Sequence, residues 1–135
     1  MSALLPILVV EDEALIRMEL VAMLLEGGFT VEECSDGADA IAQIDKASDL
    51  QGLITDIKLG NGPDGWAVAH NARRKFPNLP VVYVTGDSAG DWSAEGVPNS
   101  LILKKPYAEA QLMTAIATLL IEAVPQRSQE NPSTD

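Results

Sequence analysis

Four short stretches carry residues able to do chemistry together. Glu11-Asp12-Glu13 follows the apolar run Ile7-Leu8-Val9-Val10, and Asp56 closes the run Leu53-Ile54-Thr55. Thr85 closes Val81-Val82-Tyr83-Val84, and Lys104-Lys105 follows Leu101-Ile102-Leu103. Short continuous apolar runs of this kind read as strands covered on both faces. In an open α/β sheet the parallel strands bring their C-terminal ends to one edge, where ligands bind. Acids, a hydroxyl and an amine therefore converge on one crevice. Carboxylates about 4 Å apart repel by roughly 4 kcal/mol per pair at an effective dielectric near 20. Either one carboxyl keeps a proton or a cation sits among them. Hard oxygen ligands with positions left for water suit Mg²⁺, which in such sites also holds phosphate. A threonine hydroxyl and a lysine ammonium would take the remaining phosphoryl oxygens. The set reads as Mg²⁺-assisted phosphoryl transfer onto Asp56.

The elements that must position these residues follow from the pattern between them. Residues 14–26 contain no Pro or Gly and many strong helix formers, and Gly27-Gly28 stops them. Residues 29–34 read as a second strand. Ser35-Asp36 caps a helix from Ala38 to about Lys46, and the third strand lies within 50–56. Gly60-Asn61-Gly62-Pro63 is turn chemistry, and Asp64 caps a helix that ends at Pro77. The fourth and fifth strands are 80–85 and 101–103. A last helix runs from about 107 to 123, stopped by Pro125, and the polar stretch 124–135 reads as a disordered tail. The segment 88–96 has two glycines and one large apolar side chain, so a helix there is short and marginal. It is expected to be the most mobile part of the fold. Strand and helix alternate five times, which calls for a doubly wound five-stranded parallel sheet with helices on both faces.

The bulk properties narrow the class. A chain of 135 residues has the length of one domain and can bury a core without disulfides. A net charge of −11 argues against direct nucleic-acid or anionic-membrane binding, both of which favour a basic face. Cys34 is the single cysteine, so no internal disulfide forms and a reducing compartment fits. The apolar N-terminus lacks a basic region, so it is not read as a signal peptide, and no run is long enough to span a bilayer. The expected location is cytoplasmic.

Five motifs in order, spread over residues 5–123, make the chain resemble the receiver domain of two-component response regulators. They are Ile7-Leu8-Val9-Val10-Glu11-Asp12-Glu13, Asp36-Gly37-Ala38-Asp39-Ala40, Thr55-Asp56-Ile57-Lys58-Leu59 with Asp64-Gly65, Pro80-Val81-Val82-Tyr83-Val84-Thr85-Gly86, and Lys105-Pro106-Tyr107. The resemblance implies a flavodoxin-like strand order 2-1-3-4-5 and Asp56 as phosphoacceptor. Asp12 would ligate Mg²⁺ directly, Glu11 would assist, and the Lys58 backbone carbonyl would complete the protein ligands. Thr85 and Lys105 would hold the phosphoryl group, with Lys104 a neighbour, and Lys105-Pro106 would be cis. The phosphodonor would be a sensor histidine kinase or a histidine phosphotransfer protein. The chain would assist its own phosphorylation and dephosphorylation without being an enzyme in the ordinary sense. With no output domain in view, it would signal to a downstream protein target through protein contacts. A phosphorelay intermediate, a phosphate sink and a phosphorylation-independent binding module are the alternatives within the family.

Three departures from the family pattern set further expectations. Ile102 stands where many receivers carry an aromatic switch residue, and Tyr83, Trp92 and Tyr107 are the candidates to replace it. Ordering of the segment 87–96 would then carry the signal. Lys58 and Asp87, each two residues past a site residue, would form a lid over the phosphoryl group. On the first helix, Ile16, Leu20, Met23 and Leu24 make a stripe for the sheet, while Met18, Val21, Ala22 and Leu25 make a second one, read as a docking or homodimer surface. His70 and Cys34 are read as a surface residue and a small strand residue. A flavodoxin-type cofactor binder would need a phosphate-cradling loop where Glu11-Asp12-Glu13 stands. A haloacid-dehalogenase-type phosphatase would need its nucleophile in an Asp-x-Asp at the first strand.

Overall fold

The computed structural model describes residues 5–86 and 89–129. Five strands, β1 (Pro6–Val10), β2 (Thr30–Cys34), β3 (Gly52–Asp56), β4 (Val81–Thr85) and β5 (Leu101–Lys104), form one parallel sheet in the order β2-β1-β3-β4-β5. The crossovers hold α1 (Ala14–Glu26), α2 (Gly37–Lys46), α3 (Gly65–Lys75), a 3₁₀ turn (Ala89–Asp91) running into the single-turn α4 (Trp92–Glu95), and the closing helix α5 (Glu109–Gln129). This is the doubly wound fold expected from the alternation, in the flavodoxin-like strand order that the resemblance implied.

Strand periodicity sorts the core into two layers. Ile7, Val9, Ile54, Val82 and Val84 face Leu20 and Leu24 of α1 and Leu112, Ala115, Ile116 and Leu119 of α5. Leu8, Val10, Leu53, Val81 and Tyr83 face Ala40 and Ile44 of α2 and Val68, Ala69 and Ala72 of α3. The inner strands β3 and β4 are buried at every residue, as continuous apolar runs should be. β2 carries Glu32 and Glu33 because it is an edge strand with one wet face. The cap residues act as the sequence suggests. Asp36 accepts from the Asp39 amide at 2.7 Å, and Asp64 from the Ala67 amide at 3.0 Å.

The last helix departs from expectation. It continues to Gln129, through Pro125, where the sequence placed its end and the start of a disordered tail. Proline removes one N–H and crowds the carbonyl four residues back. Here that carbonyl belongs to Ile121, whose side chain is 70% exposed, so water reaches that turn. The remainder of the expected tail, 130–135, lies outside the described residues. Among the described residues no helix is long and apolar enough to cross a membrane.

Candidate functional site

Register brings the chemistry-bearing residues to one edge. Val10 pairs with Thr55 and Cys34, Asp56 with Val84, and Thr85 with Lys104, so β1, β3, β4 and β5 all end at one level. Glu11 and Asp12 step off β1, and the Glu11 amide donates to the Cys34 carbonyl at 3.1 Å. Glu11 is wholly buried, Asp56 is 8% exposed, and Asp12 faces solvent. One carboxylate oxygen from each of Glu11, Asp12 and Asp56 lies within 4.8 Å of the others. This is a hard, oxygen-only donor set open to water on the Asp12 side, and it could hold a divalent cation such as Mg²⁺.

A lysine sits between two of these acids. Lys105 Nζ donates to Glu11 Oε1 and to Asp56 Oδ2, both at 2.9 Å. Its own amide donates to the Thr85 carbonyl at 2.7 Å, which ties the β5 exit to the end of β4. The Lys105-Pro106 peptide is cis. Lys104, one residue earlier, is exposed, so of the two lysines it is Lys105 that lies between the acids. Thr85 is buried at the end of β4, and Lys58, two residues past Asp56, has an exposed side chain. Asp87, the other half of the expected lid, lies outside the described residues.

Burial pushes the Glu11 carboxyl up to about 7. The Lys105 ammonium and the Glu13 amide, which donates to Glu11 Oε2 at 3.0 Å, pull the other way, and the Asp56 charge adds to the rise. Burial pulls Lys105 down, but its bonds to Glu11 and Asp56 outweigh that and leave it raised. Lys105 is therefore a standing cation at neutral pH, poised beside an acid that exchanges a proton there.

The backbone around Asp56 is set by a close approach that the sequence reading passed over. A Cβ on Gly65 would collide with the Asp56 carbonyl oxygen, so only glycine lets the start of α3 press against the end of β3. The Gly65 amide donates to the Ile57 carbonyl at 2.7 Å across that contact. The Asp64-Gly65 dipeptide was the available signal, but it read as a cap and as part of the receiver resemblance, not as a close approach.

Of the three aromatic candidates for coupling, Tyr83 has the connections. It is wholly buried on the same strand face as Thr85, and its ring lies 4.7 Å from that of Trp66. Burial keeps its phenol protonated, and the hydroxyl oxygen accepts the Val97 amide at 3.0 Å. Trp92 Nε1 donates to Ser100 Oγ at 2.9 Å, and the Ser100 hydroxyl donates to the Val97 carbonyl at 2.6 Å. Two side chains of α3 pin the same loop. His70 Nε2 donates to the Glu95 carbonyl at 2.8 Å, and Arg73 donates to the Pro98 carbonyl at 2.6 Å and to that of Asn99 at 3.1 Å. His70 is exposed, as expected, but it has a partner the sequence did not indicate. Tyr107 lies elsewhere, lining a cavity of about 320 Å³ with Ile16, Leu20, Met23 and Lys105. Cys34 is buried and its thiol is pushed up to about 12, chiefly by burial, so it does not act as a thiolate.

The second stripe on α1 is divided. Val21 packs against the core, while Met18 and Leu25 are 63% and 56% exposed, and Leu15, beyond the stripe, is 76% exposed. Deep burial under neighbouring loops is therefore not the reason for these apolar residues.

Comparison with known proteins follows the geometry. A receiver protein from Sinorhizobium medicae, described as a response regulator, superposes with a TM-score of 0.86 at 41% identity, over 89% of this chain and 97% of that one. The receiver domain of a sensor histidine kinase from Pseudomonas aeruginosa, with magnesium in its active-site cleft, shares the fold at TM-score 0.75 and 23% identity, over 87% and 98% of the two chains. Among curated sequences, the transcriptional regulatory proteins PdtaR and TcrA of Mycobacterium tuberculosis are 35% and 32% identical, over 82% and 84% of this chain. The chain spans 54% of the former and 45% of the latter. The family model for the response regulator receiver domain matches residues 7–117. With its parallel sheet and its acids, threonine and lysine at one edge, the chain belongs to the response regulator receiver domain family.

Proposed function

We propose that Asp56 accepts a phosphoryl group from a phosphohistidine on a sensor histidine kinase or histidine phosphotransfer protein, within a receiver unit spanning residues 5–123. The observation that carries this is the Lys105 ammonium held 2.9 Å from Asp56 Oδ2, with the Glu11 and Asp12 carboxylates within 4.8 Å. Kinase partnership is the expectation that goes with the response regulator receiver domain match over residues 7–117.

Glu11, Asp12, Asp56 and the Lys58 carbonyl would hold Mg²⁺, which when bound screens the charge that builds up on the transferring phosphoryl group. The remaining work falls to the chain's own residues. An Asp56 carboxylate oxygen attacks phosphorus, the P–N bond to the donor imidazole breaks, and the imidazole leaves with the bonding pair and takes up a proton. Lys105 exchanges its bond to Asp56 Oδ2 for one to a phosphoryl oxygen, and the Thr85 hydroxyl donates to another. Water later attacks the same phosphorus, restores the Asp56 carboxylate and releases inorganic phosphate. The new group adds about −1.5 to −2 charges at Asp56. Movement of Thr85 toward it shifts β4, and the Tyr83 hydroxyl passes that shift to Val97 and the α4 loop. Leu15, Met18 and Leu25 offer the phosphodonor protein an exposed apolar strip along α1.

Incubation with acetyl phosphate and Mg²⁺, followed by intact-mass spectrometry, tests the reading. The wild-type chain should gain one acid-stable, base-labile phosphoryl group, and Asp56→Asn should gain none. Equal labelling of both would refute it.

A further inference from the structure

We propose that Arg17 is a positioning residue for the Asp12 carboxylate, acting through the backbone of the Glu11-Asp12 peptide. The inference rests on the reading of the site as a Mg²⁺ centre. Arg17 stands in the first turn of α1, where its amide donates to the Glu13 carbonyl at 2.9 Å. Its side chain reaches back over the loop. Nη1 donates to the Glu11 carbonyl at 2.8 Å, and Nε donates to Glu33 Oε1 of β2 at 3.1 Å. The Arg17 side chain is only 20% exposed. A planar fork held at two points does not swivel, so the Glu11 carbonyl is fixed in direction.

That carbonyl belongs to the same rigid peptide plane as the Asp12 nitrogen and Cα. The amide on the other side of Glu11 is fixed as well, by the Cys34 carbonyl at 3.1 Å. Glu11 is thus clamped on both of its backbone groups, and Asp12 is the next residue along. Asp12 itself is exposed, and the helix behind it starts without a side-chain cap on Glu13. Packing does not aim Asp12; the clamp on the preceding peptide does.

Charge alone makes the opposite forecast. A guanidinium beside a cation site repels the cation, so removing it should tighten binding if electrostatics were its whole role. A positioning role makes removal weaken binding, and makes lysine a poor substitute because it keeps the charge but loses the fork.

Mg²⁺ titrations of the full chain by isothermal calorimetry decide between them, with Arg17→Gln and Arg17→Lys beside wild type. Circular dichroism at the same temperature confirms that each variant is folded. Both variants should bind Mg²⁺ about ten-fold more weakly, the low end of the effect of removing a group that orients a metal ligand. Tighter or unchanged binding by Arg17→Gln, or wild-type affinity in Arg17→Lys, overturns the positioning role while leaving the metal site standing. Absence of Mg²⁺ binding by wild type overturns the reading of the metal site, and the inference with it.

Discussion

Lys105→Met tests how the site holds itself together in the absence of metal. Methionine keeps the length of the stem and removes the ammonium. Two charge-assisted bonds of 2.9 Å are lost, one to Glu11 and one to Asp56. Bonds to charged groups contribute about 1.5–3 kcal/mol each, and a side chain one-fifth exposed belongs at the low end of that range. The cost must depend on pH because Glu11 titrates near neutrality. Its carboxyl lies at about 7 in the folded chain against 4.5 unperturbed. A raised acid contributes stability that is fully present below 4.5 and is lost as pH rises through about 7, some 3 kcal/mol in all. Near pH 6 most molecules carry Glu11 protonated, so the variant loses chiefly the Asp56 pair, about 2 kcal/mol. Near pH 8 Glu11 is charged in the parent chain; without Lys105, which holds its carboxyl down, it rises further and must take up a proton in the variant, which brings the cost to about 3–4 kcal/mol. Urea unfolding with a chelator at both pH values measures the difference. A second substitution, Glu11→Gln, should flatten the pH dependence in either background. A Lys105→Met cost that is equal at the two pH values, or smaller near pH 8, would refute this account of the pair.

Three further outcomes follow from other contacts. Gly65→Ala must displace the end of β3, since its Cβ would meet the Asp56 carbonyl; a loss of about 3 kcal/mol is expected in urea unfolding. Tyr83→Phe leaves the buried Val97 amide without its acceptor, costing about 1–3 kcal/mol. In hydrogen exchange, residues 97–100 of that variant should lose protection and should no longer respond to a phosphoryl mimic such as BeF₃⁻, while acetyl phosphate still labels Asp56. Met18→Gln with Leu25→Gln should leave acetyl phosphate labelling unchanged and slow transfer from a protein donor about ten-fold, one anchor contact's worth of binding energy. Equal slowing with both donors would remove the docking role of that strip.

Much of the site was legible in the sequence because parallel sheets obey a directional rule. Once Ile7–Val10, Leu53–Asp56, Val81–Thr85 and Leu101–Leu103 read as strands, their C-terminal ends had to share an edge. Glu11, Asp12, Asp56, Thr85 and the Lys104-Lys105 pair therefore met without any contact being known, and the receiver resemblance singled out Lys105 of the two. Local chemistry also placed the caps Asp36 and Asp64 and the bounds of most helices. The end of α5 was misjudged because the local penalty of Pro125 was taken as decisive.

What only the tertiary structure decided are contacts between side chains and distant backbone. Arg73 and His70 reach 25 residues along the chain to hold the α4 loop, and Tyr83 reaches 14 to hold Val97. Gly65 is required by a carbonyl nine residues earlier, and Arg17 acts on a peptide outside its own helix. Apart from Gly65, which stands in the Asp64-Gly65 motif, none of these has a period or a motif, because the partner is a main-chain group that every residue possesses. Residue types and strand direction fixed which groups share the edge around Asp56. Packing alone decided which long side chains hold that edge in shape, since the distance from a side-chain donor to a remote carbonyl is set by the whole fold.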